Sequence, residues 1–142
     1  MNRLFLVLTI ILELVSVSSA NAEEMLIVAN LSVDLEAPPT LRQIASIYLL
    51  RMTVWPDGSQ IIPVNREITS EIRAEFTSAV LKQDNANLAA YWNEMHFQGK
   101  LPPVVQESES ALLAFVQKVP GAIGYISAST PAIGVRVLGH VP

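Results

Sequence analysis

Cysteine is absent from this 142-residue sequence, and histidine occurs only twice. The missing cysteines exclude disulfides, thiolate metal sites, a cysteine nucleophile and a bacterial lipid-anchor residue. His96 and His140 stand in no HExxH pattern and have no flanking carboxylate at ligand spacing, which argues against a metal site. There is no nucleophile elbow, no GxxxxGK[ST] phosphate loop and no convincing serine-histidine-aspartate set, so the chain reads as a non-enzyme that needs no cofactor. Charge is sparse, at 15% of residues, and acidic in balance, with a formal net charge of −4. Such a surface does not attract a nucleic-acid backbone. The length is that of one domain, with no internal repeat, low-complexity tract or interdomain linker.

What is present begins with an export signal. Arg3 supplies a positive start, and Leu4 to Val17 form an apolar run interrupted by Thr9, Glu13 and Ser16. Ser18-Ser19-Ala20-Asn21-Ala22 then offers an A-x-A site, with cleavage expected after Ala22. The run is too short to span a bilayer. Residues 1–22 are therefore expected to be a cleaved signal peptide. Residues 23–142 would form a periplasmic domain with no membrane attachment. Cleavage removes one Arg and one Glu, so the net charge stays at −4.

Along the mature chain, strand and helix signals alternate. Met25 to Ala29 is a continuous apolar run, as in a strand buried on both faces. Thr40 and Gln43 match a capping box for a helix carrying Leu41, Ile44, Ala45, Tyr48 and Leu49. Trp55-Pro56-Asp57-Gly58 has type I turn chemistry, with Trp55 packing the turn against the domain. Ile61 to Val64 follows as a strand, and Pro63 places it at an edge or ends it early. Thr69 or Ser70 caps a helix striped by Ile72, Phe76, Ala79 and Val80, with Arg73 turned to water. Asp84 or Asn85 starts another, which places Trp92 in the core and stops at Gly99. Ser108 starts a fourth, which Pro120-Gly121 ends. Ala122 to Ser127 and Ile133 to Leu138 read as the last two strands, with Gly124 packing closely within the sheet. Strands alternating with helices predict an α/β domain with a mixed sheet flanked by helices.

Three stretches carry a resemblance: LRQIASIYLLRMTVWPDGSQIIPVNRE, TSEIRAEFTSAVL and VPGAIGYIS. Their ordered combination resembles one lobe of the phosphate-binding, substrate-binding proteins of bacterial ABC transporters. The resemblance implies the α/β fold of a single lobe of a type 2 periplasmic binding protein. It also implies that Arg66, at a strand end, and Ser70, at the next helix start, contact a phosphate or another oxyanion. A guanidinium can grip two oxyanion oxygens, and a helix start presents unpaired N–H groups. The pattern departs from the family after the Arg. Where the family has Ser-Asp-Gly-Ser-Gly-Thr, this chain has Glu67-Ile68-Thr69-Ser70-Glu71-Ile72. Glu71 replaces a glycine that lets the backbone approach phosphate, and both Glu67 and Glu71 oppose an anion. The family's second lobe, with its glycine-rich helix start, has no counterpart in this sequence.

Two functional expectations follow. The first is an exported binding protein related to phosphate or oxyanion capture for ABC transport, using Arg66 and Ser70. The second is an interaction module that keeps the scaffold but has lost the ligand, its partner being another envelope protein or a second copy. In the second, Arg66 pairs with a neighbouring carboxylate and Ser70 is only a helix cap. Asn65 reads as a turn residue.

Overall fold

The computed structural model describes residues 23–142. The proposed signal peptide lies outside the described residues. The elements are β1 (Met25–Ala29), α1 (Leu41–Tyr48), β2 (Ile62–Arg66), α2 (Glu71–Phe76, running into a π turn over Thr77–Leu81), α3 (Asn85–Phe97), β3 (Val104–Gln106), α4 (Glu109–Lys118), β4 (Ala122–Ser127) and β5 (Arg136–Val141). One sheet holds the five strands in the order β3-β2-β4-β1-β5. β2 runs parallel to β3 and β4, whereas β1 runs antiparallel to β4 and β5. The expected mixed α/β sheet with flanking helices is what forms.

Side-chain alternation along the central strands builds two cores. Met25, Ile27 and Ala29 of β1 and Ile123 and Tyr125 of β4 face α1 and α2, meeting Ile44, Ile47, Tyr48, Phe76 and Val80. Leu26 and Val28, with Ala122 and Ile126, face the other way and meet Leu112 and Val116 of α4. Both faces of the sheet are covered, which is why β1 reads as an unbroken apolar run. The α4 face packs so closely that a Cβ on Gly124 would stand 2.7 Å from Leu112 Cδ2.

The helix starts follow their capping signals. Thr40 and Gln43 form the reciprocal capping box. Ser70, Asp84 and Ser108 each cap their helix by accepting a backbone N–H. In the expected turn, the Gly58 N–H donates to Trp55 O at 2.8 Å. Trp55 is buried and its indole Nε1 donates to Gly121 O at 3.0 Å, locking the turn onto the start of β4.

Several expectations about the elements need correction. Pro63 is not at an edge, since β2 lies between β3 and β4. The proline is tolerated because Ile62 supplies the N–H to Gly121 O on the β4 side, and β3 pairs only from Val64 onward. Trp92 is not a core residue: it is half-buried and stacks edge-on against Tyr91 at 5.1 Å, while Met95 alone is buried on α3. β3 was not foreseen, because two prolines precede three residues that are mostly exposed. β5 begins at Arg136 rather than Ile133, because Gly134 takes φ +72° in the preceding turn.

Gly121 offers the clearest test of the fold. Its φ is +79°, and a Cβ there would stand 2.2 Å from the main-chain oxygen of Gln60. Gly121→Ala should cost about 2–4 kcal/mol, read from the urea midpoint. Gly58 has a similar φ of +85° but open space around it, so Gly58→Ala should cost only about 1 kcal/mol. Equal costs would show that the close approach to Gln60 is unimportant.

Candidate functional site

Parallel strands joined through helices bring several strand ends and helix starts to one edge. β2 ends at Arg66, β4 ends at Ser127, and Ser70 and Ser108 cap α2 and α4. α2 lies on one face of the sheet and α4 on the other. Crossovers on opposite faces open a crevice outside the carboxyl ends of the strands, the general location of ligands in open α/β sheets. A cavity of about 300 Å³ lies there, lined by Glu23, Arg66, Glu67, Ser70, Glu71, Ile72, Glu109 and Ser127.

The position of Arg66 is set from beneath. β2 and β4 pair only at Ile62–Ala122 and Pro63–Ile123. Beyond that point two tyrosine hydroxyls take over from the ladder. Tyr48 Oη contacts both Val64 O at 2.8 Å and Ile123 O at 3.2 Å. Tyr125 Oη donates to Asn65 Oδ1 and accepts the Arg66 N–H at 3.3 Å. Burial drives the Tyr48 pKa well above its ordinary value, with Tyr125 adding to the effect. Burial likewise pushes Tyr125 up to about 12. Both hydroxyls therefore keep their protons across the physiological range and remain donors. Asn65 is thus no turn residue: it is buried, and its Oδ1 also accepts the Arg66 N–H at 3.0 Å. Arg73, expected in water, is half-buried and its Nη1 donates to Arg66 O at 2.7 Å.

Arg66 and Ser70, the two residues singled out in the sequence, line the same cavity. The guanidinium is engaged within the chain: Nε and Nη2 donate to the two carboxylate oxygens of Glu67, each at 3.1 Å. The side chains are 13% and 29% exposed. Water reaches the pair, so its net worth is small. The Arg66 hydrogen bonds hold the Glu67 carboxyl below the usual carboxylate range. Ser70 is buried, and its Oγ accepts the Arg73 N–H at 3.5 Å. The cavity thus contains one guanidinium and four carboxylates. That balance opposes a free anion unless the carboxylates move or take protons.

Sequence reading missed three participants. Glu23, Glu109 and Ser127 are far apart in the chain and meet only because β1, α4 and β4 reach the same edge. No local motif marks them. A larger cleft of about 510 Å³ lies between the 34–39 connector, α1 and the Trp55 turn. Its ionisable lining is Asp34, Glu36 and Asp57, with no basic residue, whereas the smaller cavity contains Arg66. Among the described residues, no group of His, Asp and Glu could hold a metal ion, and no helix is long and apolar enough to cross a membrane.

No family model matches the chain, and no curated protein matches it in sequence. Solved structures do match in fold. An ABC-type phosphate transport receptor from Vibrio cholerae superposes with a TM-score of 0.65 at 21% identity, covering 82% of this chain and 45% of the receptor. A candidate phosphate ABC transporter substrate-binding protein from Clostridium perfringens, solved with bound phosphate, gives 0.63 and 21% over 82% of this chain and 44% of that one. PstS from Borrelia burgdorferi gives 0.63 and 15%, over 82% and 46%. The chain spans less than half the length of each of these proteins. At these identities the likeness is one of fold, and it matches a single lobe of a periplasmic binding protein.

The Arg66–Glu67 pair predicts a titration. Because the folded carboxyl is lowered, the pair's contribution is present above the ordinary carboxylate pKa and is lost as pH falls through the lowered value. Carboxyl-carbon NMR should find the Glu67 midpoint below the ordinary value, and Arg66→Gln should return it toward that value. An unchanged midpoint in the variant would mean that Arg66 is not its partner.

Proposed function

We propose that this chain is an exported, non-catalytic binding protein of the phosphate or oxyanion type, serving ABC transport, with Arg66 and Ser70 as the anion contacts. One observation carries the reading. A guanidinium fixed at the carboxyl end of a central strand shares a cavity with a capping serine, in a fold whose solved neighbours include a protein with phosphate bound. The chemistry is recognition alone. Arg66 offers paired donors to two oxygens, and Ser70 offers a hydroxyl beside them. Export is the location that suits this role, and the A-x-A pattern at Ala20 to Ala22 supports it.

Such a site works against its own charge. An arriving oxyanion must take Arg66 from Glu67 and sit among Glu23, Glu71 and Glu109. The cavity is open to water, so each charged hydrogen bond is weaker than in an enclosed cleft. Affinity should be low unless a partner covers the site. The engagement of Arg66 by Glu67 also favours a second reading, in which the lobe is an envelope interaction module that no longer binds an anion. Its partner would be another envelope protein or a second copy of the chain.

Calorimetric titration with inorganic phosphate separates the two. Submillimolar binding that Arg66→Ala abolishes is the expected result for the exported chain. No heat at millimolar phosphate, from a folded sample, would remove solitary phosphate binding and leave the interaction module.

A further inference from the structure

The turn that leaves β4 already holds carboxylates. The Ser127 N–H donates to Glu109 Oε1 at 2.5 Å. Thr130 Oγ1 donates to Glu109 Oε2 at 2.8 Å. Ser127 Oγ donates to Glu23 Oε1, and Ser129 Oγ reaches the same oxygen at 3.1 Å. One main-chain N–H and three hydroxyls, from residues 127–130, thus converge on oxyanion groups that the chain itself supplies. Ser127 is buried at the strand end, so its N–H is fixed in direction by the pairing of β4 with β1. Glu109 is only half-buried and stands in the first turn of α4, from which its side chain can turn to water.

We infer that the 127–130 turn is a second oxyanion cradle, that Glu109 fills it as an internal ligand, and that a phosphate-class anion binds by taking the place of the Glu109 carboxylate. Ser127 of the cradle and the Glu109 that fills it line the same cavity as Arg66, so this inference rests on the proposed function and extends it. The ligand is recognised by its oxygens: the Ser127 N–H and Thr130 Oγ1 engage two of them, as they now engage the two of Glu109. Arg66 and Ser70 meet the others from the β2 side. A tetrahedral oxyanion has enough oxygens to satisfy both sides, whereas a planar carboxylate satisfies one. Glu23 stays on Ser127 Oγ and Ser129 Oγ and is not displaced. In the native chain the ligand competes with a tethered carboxylate, which keeps the apparent affinity low.

The test is inorganic phosphate titrated against the full exported chain carrying Glu109→Ala, with acetate in parallel. The vacated cradle should bind phosphate at least tenfold more tightly than the native chain, with a larger phosphate-dependent rise in Tm. Adding Thr130→Val should remove most of that gain. If Glu109→Ala does not fold, Glu109→Gln keeps the side-chain volume without the charge and should still gain severalfold. A folded variant with no gain overturns the cradle, as does a gain that survives Thr130→Val. A Tm rise with acetate equal to that with phosphate overturns the tetrahedral ligand. Arg66→Ala in the Glu109→Ala background separates the two readings: loss of the remaining affinity supports both, whereas phosphate binding that persists without Arg66 leaves the cradle standing and removes Arg66 as an anion contact.

Discussion

The site depends on a wedge of two tyrosines between β2 and β4. The strands pair over two residues and then separate, and the Tyr48 and Tyr125 hydroxyls occupy the gap. They are held there by an aromatic stack. The Tyr125 and Phe76 rings lie 4.0 Å apart and 5° from parallel, and Tyr48 meets Phe76 edge-on at 4.7 Å. Phe76 belongs to α2, whose first residue follows Ser70, so the stack ties the helix start and the strand end to one rigid body. Unpaired carbonyls at this depth would each be costly. The Tyr48 hydroxyl meets the Val64 and Ile123 carbonyls, the Tyr125 hydroxyl accepts the Arg66 N–H, and among the described residues no buried side-chain polar atom lacks a partner. Because both phenols keep their protons, the wedge does not loosen with ordinary changes of pH.

The same wedge accounts for the cavity. Had the β2–β4 ladder continued, Arg66 and Ser127 would stand on neighbouring paired strands with no space between them. Separation of the strand ends leaves the cavity at this edge. It also leaves donors without ladder partners: the Arg66 N–H turns to Asn65 and Tyr125, and the Ser127 N–H turns to Glu109. Scaffold and site are therefore not independent. The interruption that orients the arginine also exposes the donors opposite it.

Much of the scaffold was legible because it rests on local signals. The apolar run of β1, the capping box at Thr40, the Trp55 turn and the Ser70 and Ser108 caps each follow from a few adjacent residues. The site was legible only in part. Arg66 and Ser70 sit near each other in sequence, and their placement follows from a strand leading into a helix. Arg73 looked exposed because its helical position faces outward, yet a long guanidinium stem can fold back to a strand-end carbonyl. Glu23, Glu109 and Ser127 come from three distant segments, and the topology alone brings them together. Leu50 and Lys82 take left-handed backbone conformations at helix ends where glycine would have marked the stop. β3 was hidden for a different reason, since its register comes from β2 and not from any pattern of its own.

Charge is the remaining constraint, and it acts on specificity. One guanidinium among four carboxylates does not make an electropositive pocket. For the proposed anion, long-range attraction would not then assist entry, and selection would rest on short-range geometry. Each carboxylate in contact with a donor is itself an oxyanion in a place built for one. Glu67 occupies Arg66, Glu109 occupies the Ser127 N–H and Thr130, and Glu23 occupies the serine hydroxyls. These internal pairs keep the donors that line the cavity oriented. Under the proposed function, binding would be an exchange of one oxyanion for another. Its free energy is the difference between two similar sets of hydrogen bonds, less the repulsion from whichever carboxylates remain. Under that proposal the favoured ligand is one whose oxygens reach the β2 and β4 sides together, because none of Glu67, Glu109 and Glu23 engages donors on both.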